Sequence, residues 1–203
     1  MVNGTRTRSD VKREAIIQAA KRAFKTFGVN GTSMDKLAEM AQVSKRTVYN
    51  HFRAKEDLVM HLIKEQYQNA LVDADAAYCS EVSLEKQLVE LLMAQIIFTT
   101  SEEHMDLARV IIGHFFYEPD KLKDEITQLK DQETFFNRWL RAAERDGKLS
   151  FDDVETVCID LDALIKGQCF WPQLFKLEDP LTDAQKHHIA SNTARLILSR
   201  YQI

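Results

Sequence analysis

The sequence predicts an all-α fold of about nine helices. A three-helix head carrying a helix-turn-helix is joined by a long helix to a C-terminal helical body. Three observations carry this reading. Long segments repeat apolar residues at three- and four-residue spacing. Gly and Pro are scarce, 6 and 3 in 203 residues, so the helices have few interior breakers. No alternating run of β-branched residues is long enough to mark a strand.

Residues 1–9 read as a flexible basic arm, with Arg6 and Arg8. The first helix spans 11–27. Its apolar stripe is Val11, Ala15, Ile16, Ala19, Ala20, Ala23, Phe24 and Phe27, and Gly28 is its stop. Thr32 or Ser33 can cap the second helix, whose first turn gains the charge of Asp35. Met34, Leu37, Ala38 and Ala41 give that helix one apolar face. Gln42, Val43 and Ser44 interrupt it, and Ser44 can cap a short helix over 45–52. A long helix starts at Lys55 and reaches about residue 76. Further helices are predicted over 83–100, from Ser101 to about 116, and from Pro119 to Gly147, the last with room for a bend near Lys130 and Asp131. The final two span 152–175, which Pro172 should kink or stop, and 181–201.

The stretch 33–52 holds the densest polar chemistry. Val48 and Phe52 share one face of the short helix as inward anchors. Lys45, Arg46, Thr47, Tyr49, Asn50 and His51 are left outside, flanked by Thr32, Ser33, Ser44 and Lys55. Two cations, an aromatic ring and several hydrogen-bond donors suit phosphate contact and base-edge reading. At 1.5 Å per residue the helix is roughly 12 Å long, short enough for a major groove. On the pattern alone, an ordinary surface helix of a bundle is an equal alternative.

These residues resemble the DNA-binding domain of TetR/AcrR-family transcriptional regulators, without a gap from about 10 to 58. The matching positions are Ala19, Ala20, Phe24, Phe27 and Gly28, then Thr32, Leu37 and Ala38. Val43, Ser44, Thr47, Val48, Tyr49, His51, Phe52, Lys55, Glu56 and Leu58 complete the match. Two departures stand out: Gln42 where the family usually has Gly, and Arg46 in place of a frequent Gly. The resemblance implies that 10–55 binds double-stranded operator DNA, with Tyr49 and Lys55 on its backbone. It implies that 56–203 binds a small effector and dimerises. A weaker likeness to AcrR-type bodies runs through Gly147-Lys148-Leu149 and 167–172.

Charge fits this division. Residues 1–55 carry twelve Lys/Arg against four Asp/Glu, a surplus of +8; the remainder carries −12, giving −4 in all. A basic head on an acidic body concentrates polyanion attraction at one end. Cys79, Cys158 and Cys169 are odd in number and lack CxxC spacing, so they read as buried thiols rather than a disulfide framework or zinc site; a redox sensor is the lesser alternative. No HExxH, nucleophile elbow, Walker loop or dinucleotide fingerprint points to an enzyme, and no cofactor is called for. His104, Asp106 and His114 are the only conceivable metal set, and a weak one. No apolar run reaches the ~18 residues of a membrane span and no signal-like leader is present, so the expected location is cytoplasmic.

The body is rich in large apolar residues. Core packing explains most of them. A mostly apolar ligand pocket, supported chiefly by the resemblance, would involve Met93, Phe98, His114, Phe115, Tyr117, Phe136, Trp139 and Cys169. Gln95, His114, Tyr117 and Asn137 are the polar groups that could orient a small hydrophobic effector there. The two C-terminal helices could close the monomer core. By resemblance they form a four-helix homodimer interface through Leu161, Leu164, Gly167, Gln168, Ile189, Thr193, Leu196 and Ile197. The functional expectation is a repressor released from its operator by the effector. A constitutive DNA-binding or architectural protein, or an activator of the same fold, is the alternative.

Overall fold

The computed structural model describes residues 7–72, 77–116 and 134–203. These form helices α1 (Arg8–Phe27), α2 (Met34–Met40), α3 (Lys45–His51), α4 (Lys55–Val72), α5 (Leu84–Thr99) and α6 (Glu102–Phe115). They continue as α7 (Phe135–Arg145), α8 (Val154–Ile165), a π-turn (Lys166–Phe170), α9 (Trp171–Leu174) and α10 (Asp183–Tyr201). Among the described residues the only β pairing is an isolated bridge between Leu149 and Gln202. The chain divides into two compact units, residues 1–66 with 106–129 and residues 67–105 with 130–203.

In the first unit, α1 begins three residues earlier than the apolar stripe suggested. Thr7 and Asp10 form a reciprocal capping box: each side chain takes the other's backbone N–H, at 3.1 and 2.9 Å. Gly28 ends the helix with φ +68°. Ile16, Ile17, Ala19, Ala20, Ala23 and Phe24 face inward and meet Leu37 and Ala38 of α2, Val48 of α3, Phe52, and Leu58 and Leu62 of α4. Alanine at three of these positions lets α2 and α3 lie close against α1. Leu107 of α6 joins the same core.

In the second unit, α5 packs along α10, and α8 packs against both α7 and α10. Leu88, Leu92, Ile96, Trp139, Leu140, Leu161, Cys169, Ala190 and Ala194 form its core. Buried Gln87 closes one end. Its Oε1 accepts the Cys79 N–H at 2.9 Å and the Trp139 indole N–H at 3.2 Å; its Nε2 donates to the carbonyls of Cys79 (2.8 Å) and Val82 (2.7 Å). The chain end is held against the turn before α8: Ser150 N–H donates to Tyr201 O at 2.9 Å, and Ile203 N–H to Lys148 O at 3.2 Å.

Two helix expectations are corrected. The helix predicted from Pro119 to Gly147 has a separate start at its C-terminal part, where Thr134 caps α7 by accepting the Asn137 N–H at 3.2 Å. Residues 117–133, including Pro119, lie outside the described residues. Pro172 does not end the helical run at its own position; the run ends two residues later, at Leu174. The proline sits in the first turn of α9, where its missing N–H costs nothing, directly after the π-turn.

Candidate nucleic-acid interface

The helix-turn-helix is built from two serine caps. Ser33 accepts the Lys36 N–H at 3.2 Å to start α2, and Ser44 accepts the Thr47 N–H at 3.1 Å to start α3. Between them α2 ends on Gln42, which adopts the left-handed conformation at φ 54°. The Val43 N–H then reaches back to Ala38 O at 3.0 Å. A non-glycine residue costs about 1 kcal/mol in that conformation, an amount the packed core absorbs. Val48, fully buried, and Phe52 anchor α3 inward. Lys45, Arg46, Tyr49 and Asn50 are exposed; Thr47 and His51 are half-buried. The outward face predicted for α3 is the face the structure leaves open.

The flanking residues differ more. Ser33 and Ser44 are exposed. Thr32 is corrected: it is buried, with its hydroxyl donating to Gly28 O at 2.8 Å, so it braces the turn after α1 instead of facing outward. Lys55 is half-buried, and its ammonium donates to Val29 O at 3.0 Å, pinning the start of α4 to the same turn.

Electrostatics adds a partner that helix patterning does not show. The Lys45 ammonium lies 2.7 and 3.0 Å from the two carboxylate oxygens of Asp35, joining the first turns of α2 and α3. The hydrogen bond to Asp35 and its charge hold the Lys45 pKa above the ordinary lysine value. Lys45 and Arg46 stand in a first turn with no acidic residue of its own, against the helix dipole, and Asp35 offsets this. Nearby, the Lys36 ammonium sits 3.0 Å from the centroid of the Phe27 ring. Behind α3, the Arg13 guanidinium lies 5.2 Å from the Phe52 ring centroid and 3.3 Å from Nδ1 of His61 on α4. Burial, then the charge of Arg13, lowers the His61 pKa.

The first unit also contains a cavity of about 350 Å³ that no sequence signal indicated. Phe24, Phe27, Val29, Asp106, Arg109 and His114 are among its lining residues. They lie some eighty positions apart in the chain, and only folding brings them together.

The residues predicted for an effector pocket are divided between the two units. His114 belongs to the first unit. Met93 and Phe136 are half-buried against the core of the second unit, in which Trp139 and Cys169 are wholly enclosed packing residues. Phe98, also in the second unit, stacks at a tilt on His104, 4.7 Å between ring centroids. The Phe115 side chain and Tyr117 lie outside the described residues.

The dimer-interface expectation needs a similar correction. Leu161, Ile189, Thr193 and Ile197 are buried in their own unit, because they occupy the faces of α8 and α10 turned toward α5 and α7. Leu164 is half-buried, while Gly167, Gln168 and Leu196 are exposed. Outward apolar residues that the sequence reading did not select include Ile159, Trp171, Phe175 and Leu177. Among the described residues no three His, Cys, Asp or Glu side chains are placed to hold a metal ion, and no helix is long and apolar enough to cross a membrane.

A small helical head, two serine-capped helices across a tight turn, and a polar outer face on the second define a helix-turn-helix DNA-binding regulator. Residues 16–62 match the family model for bacterial regulatory proteins of the tetR family, and residues 86–203 match that for the C-terminal domain of AefR-like transcriptional repressors. The chain belongs to the TetR family of transcriptional regulators, and it is a regulator rather than an enzyme. A TetR-family regulator of known structure from Pseudomonas syringae pv. tomato is 36% identical, with a TM-score of 0.80 over 96% of this chain and 98% of that one. The nucleoid occlusion factor SlmA of Vibrio vulnificus is 31% identical over 163 residues, 77% of this chain and 79% of its own length. The transcriptional repressor AcnR of Corynebacterium diphtheriae is 29% identical over 135 residues, 66% of this chain; the match spans 58% of AcnR.

Proposed function

We propose that the chain is a homodimeric repressor whose two α3 helices enter successive major grooves of an operator, and that a small hydrophobic effector releases it. The open face of α3, with Arg46, Tyr49 and Asn50 exposed above the Val48 anchor, is the observation that carries the DNA reading. Residues 10–55 are assigned to operator binding and 56–203 to effector binding and dimerisation. The match to AefR-like repressors and the likeness to AcnR support repression. The exposed Ile159, Trp171 and Leu196, with Gly167 allowing close approach, support a second copy as the partner of α8 and α10. For the effector, the support is the half-buried Met93, Phe98 and Phe136 together with Asn137, whose buried Oδ1 has no hydrogen-bond partner. An N–H or O–H on an otherwise apolar ligand would satisfy that oxygen. Release requires that the ligand bind one arrangement of the two heads more tightly than the other.

The test is a titration against the DNA upstream of the protein's own gene and its neighbours, at fixed salt, with and without a panel of hydrophobic compounds. Specific binding that one compound abolishes is the expected result. Specific binding untouched by any compound would sink effector release and leave a constitutive DNA-binding protein. Tyr49→Ala should weaken binding to every sequence; unchanged affinity would remove α3's face from the interface.

A further inference from the structure

Asp35 stands beside the cations of α3 but is not needed to start α2, since Ser33 supplies that cap. Its carboxylate takes the Lys45 ammonium with both oxygens, and both side chains remain well exposed, 65% and 60%. An exposed pair of this kind adds little to folding stability, so its effect falls mainly on what either charge does toward a third partner. We propose that Asp35 is a built-in brake on non-specific DNA binding, holding Lys45 in the free protein and competing with backbone phosphate for it. This rests on the reading that the face of α3 bearing Lys45 meets DNA.

The physical basis is counterion release. A lysine that neutralises a phosphate contributes a slope of about 0.9 to the dependence of log affinity on log salt. While Asp35 neutralises Lys45, that contribution is largely cancelled, and the carboxylate itself repels the backbone. Random DNA offers little beyond backbone, so the brake acts most strongly there.

The experiment measures binding of the full-length protein to a labelled mixed-sequence duplex across a salt series. Asp35→Asn should bind more tightly and steepen the salt slope by about 0.9, so that its advantage over the parent shrinks about threefold when salt is raised fourfold. Asp35→Ser should do the same, which guards against a fault peculiar to one variant, and thermal melting checks that both fold. Asp35→Glu should restore the parental slope. In a Lys45→Met background the gain from Asp35→Asn should shrink to the part that comes from direct repulsion by the carboxylate. Parental affinity and slope in Asp35→Asn would overturn the proposal. So would an undiminished gain in the Lys45→Met background, which would show Asp35 repelling DNA on its own account. Lys45→Met binding that equals the parent's would instead remove Lys45 from the interface, and the premise would fail with it.

Discussion

Gln87→Met is the substitution that most directly tests how the second unit is closed. It keeps the length of the side chain and removes four hydrogen bonds, those with the Cys79 N–H, the Cys79 and Val82 carbonyls and the Trp139 indole. Each is worth about 1 kcal/mol net. Cys79 is exposed and Val82 half-buried, so water can replace part of that loss. Trp139 is 1% exposed, and its N–H would be left unpaired, at about 1–3 kcal/mol. The sum points to about 3 kcal/mol, read as a shift in the urea midpoint at fixed protein concentration. Trp139→Phe alone should cost about 2 kcal/mol for lost volume and one hydrogen bond. In the Gln87→Met background it removes the orphaned N–H as well, so the double variant should be more stable than the two single costs predict, by about 1–2 kcal/mol. Strict additivity, or a Gln87→Met cost below about 1 kcal/mol, would refute the reasoning.

Three further predictions concern other parts of the chain. A Cβ at Gly31 would lie 2.2 Å from the Phe27 carbonyl oxygen, so Gly31→Ala must shift the backbone turn before α2. It should destabilise the protein by about 1–3 kcal/mol in a denaturation curve; parental stability would mean the turn yields freely. Burial, then Lys166, lowers the pKa of His104, as burial and Arg13 do for His61, so the unfolded chain takes up more protons than the folded one as pH falls through about 6.5. Stability should therefore decline below that pH and level off once both folded-state imidazoles are charged; Tm measured against pH should drop less steeply in His61→Gln. Burial pushes the thiols of Cys158 and Cys169 up to about 11, whereas Cys79 is exposed. Mild alkylation at neutral pH should label Cys79 first, and equal rates at all three would contradict the burial argument.

The head was largely legible because its signals are local. Ser33 and Ser44 cap within three residues, and Val48 and Phe52 share a face at a four-residue spacing. Even the departure at Gln42 could be read, since it occupies the left-handed position itself. Thr32 was misread because its partner, the Gly28 carbonyl, belongs to the turn behind it rather than to the helix ahead. Cys79 was misread as buried, because residue type predicts burial only on average. In the body, periodicity found α8 and α10 but not which side faces outward. Each has apolar residues around much of its circumference; choosing between Leu161 and Ile159 needs the position of α7, and between Ile197 and Leu196 that of α5. The Gln87 clasp and the cavity beside Phe27 depend on residues more than fifty positions apart, beyond any local pattern.

The π-turn gives one part of the chain an unusual tolerance to change in length. The Trp171 N–H donates to Lys166 O, five residues back, so this turn holds one residue more than an α-turn. Losing a residue from Val154–Ile165 would rotate one side of the helix against the other by about 100° and carry Val157 or Leu161 off the core. Losing one within Lys166–Phe170 would remove the wide turn and leave Ile165 before it and Leu174 after it facing the way they do now, but it would place Pro172 inside a regular α-helix, at a cost of about 3 kcal/mol. The segment is thus a place where the lineage can shed a residue without re-aiming either flank once the proline is also replaced, and chains one residue shorter there should lack a proline at the position of Pro172.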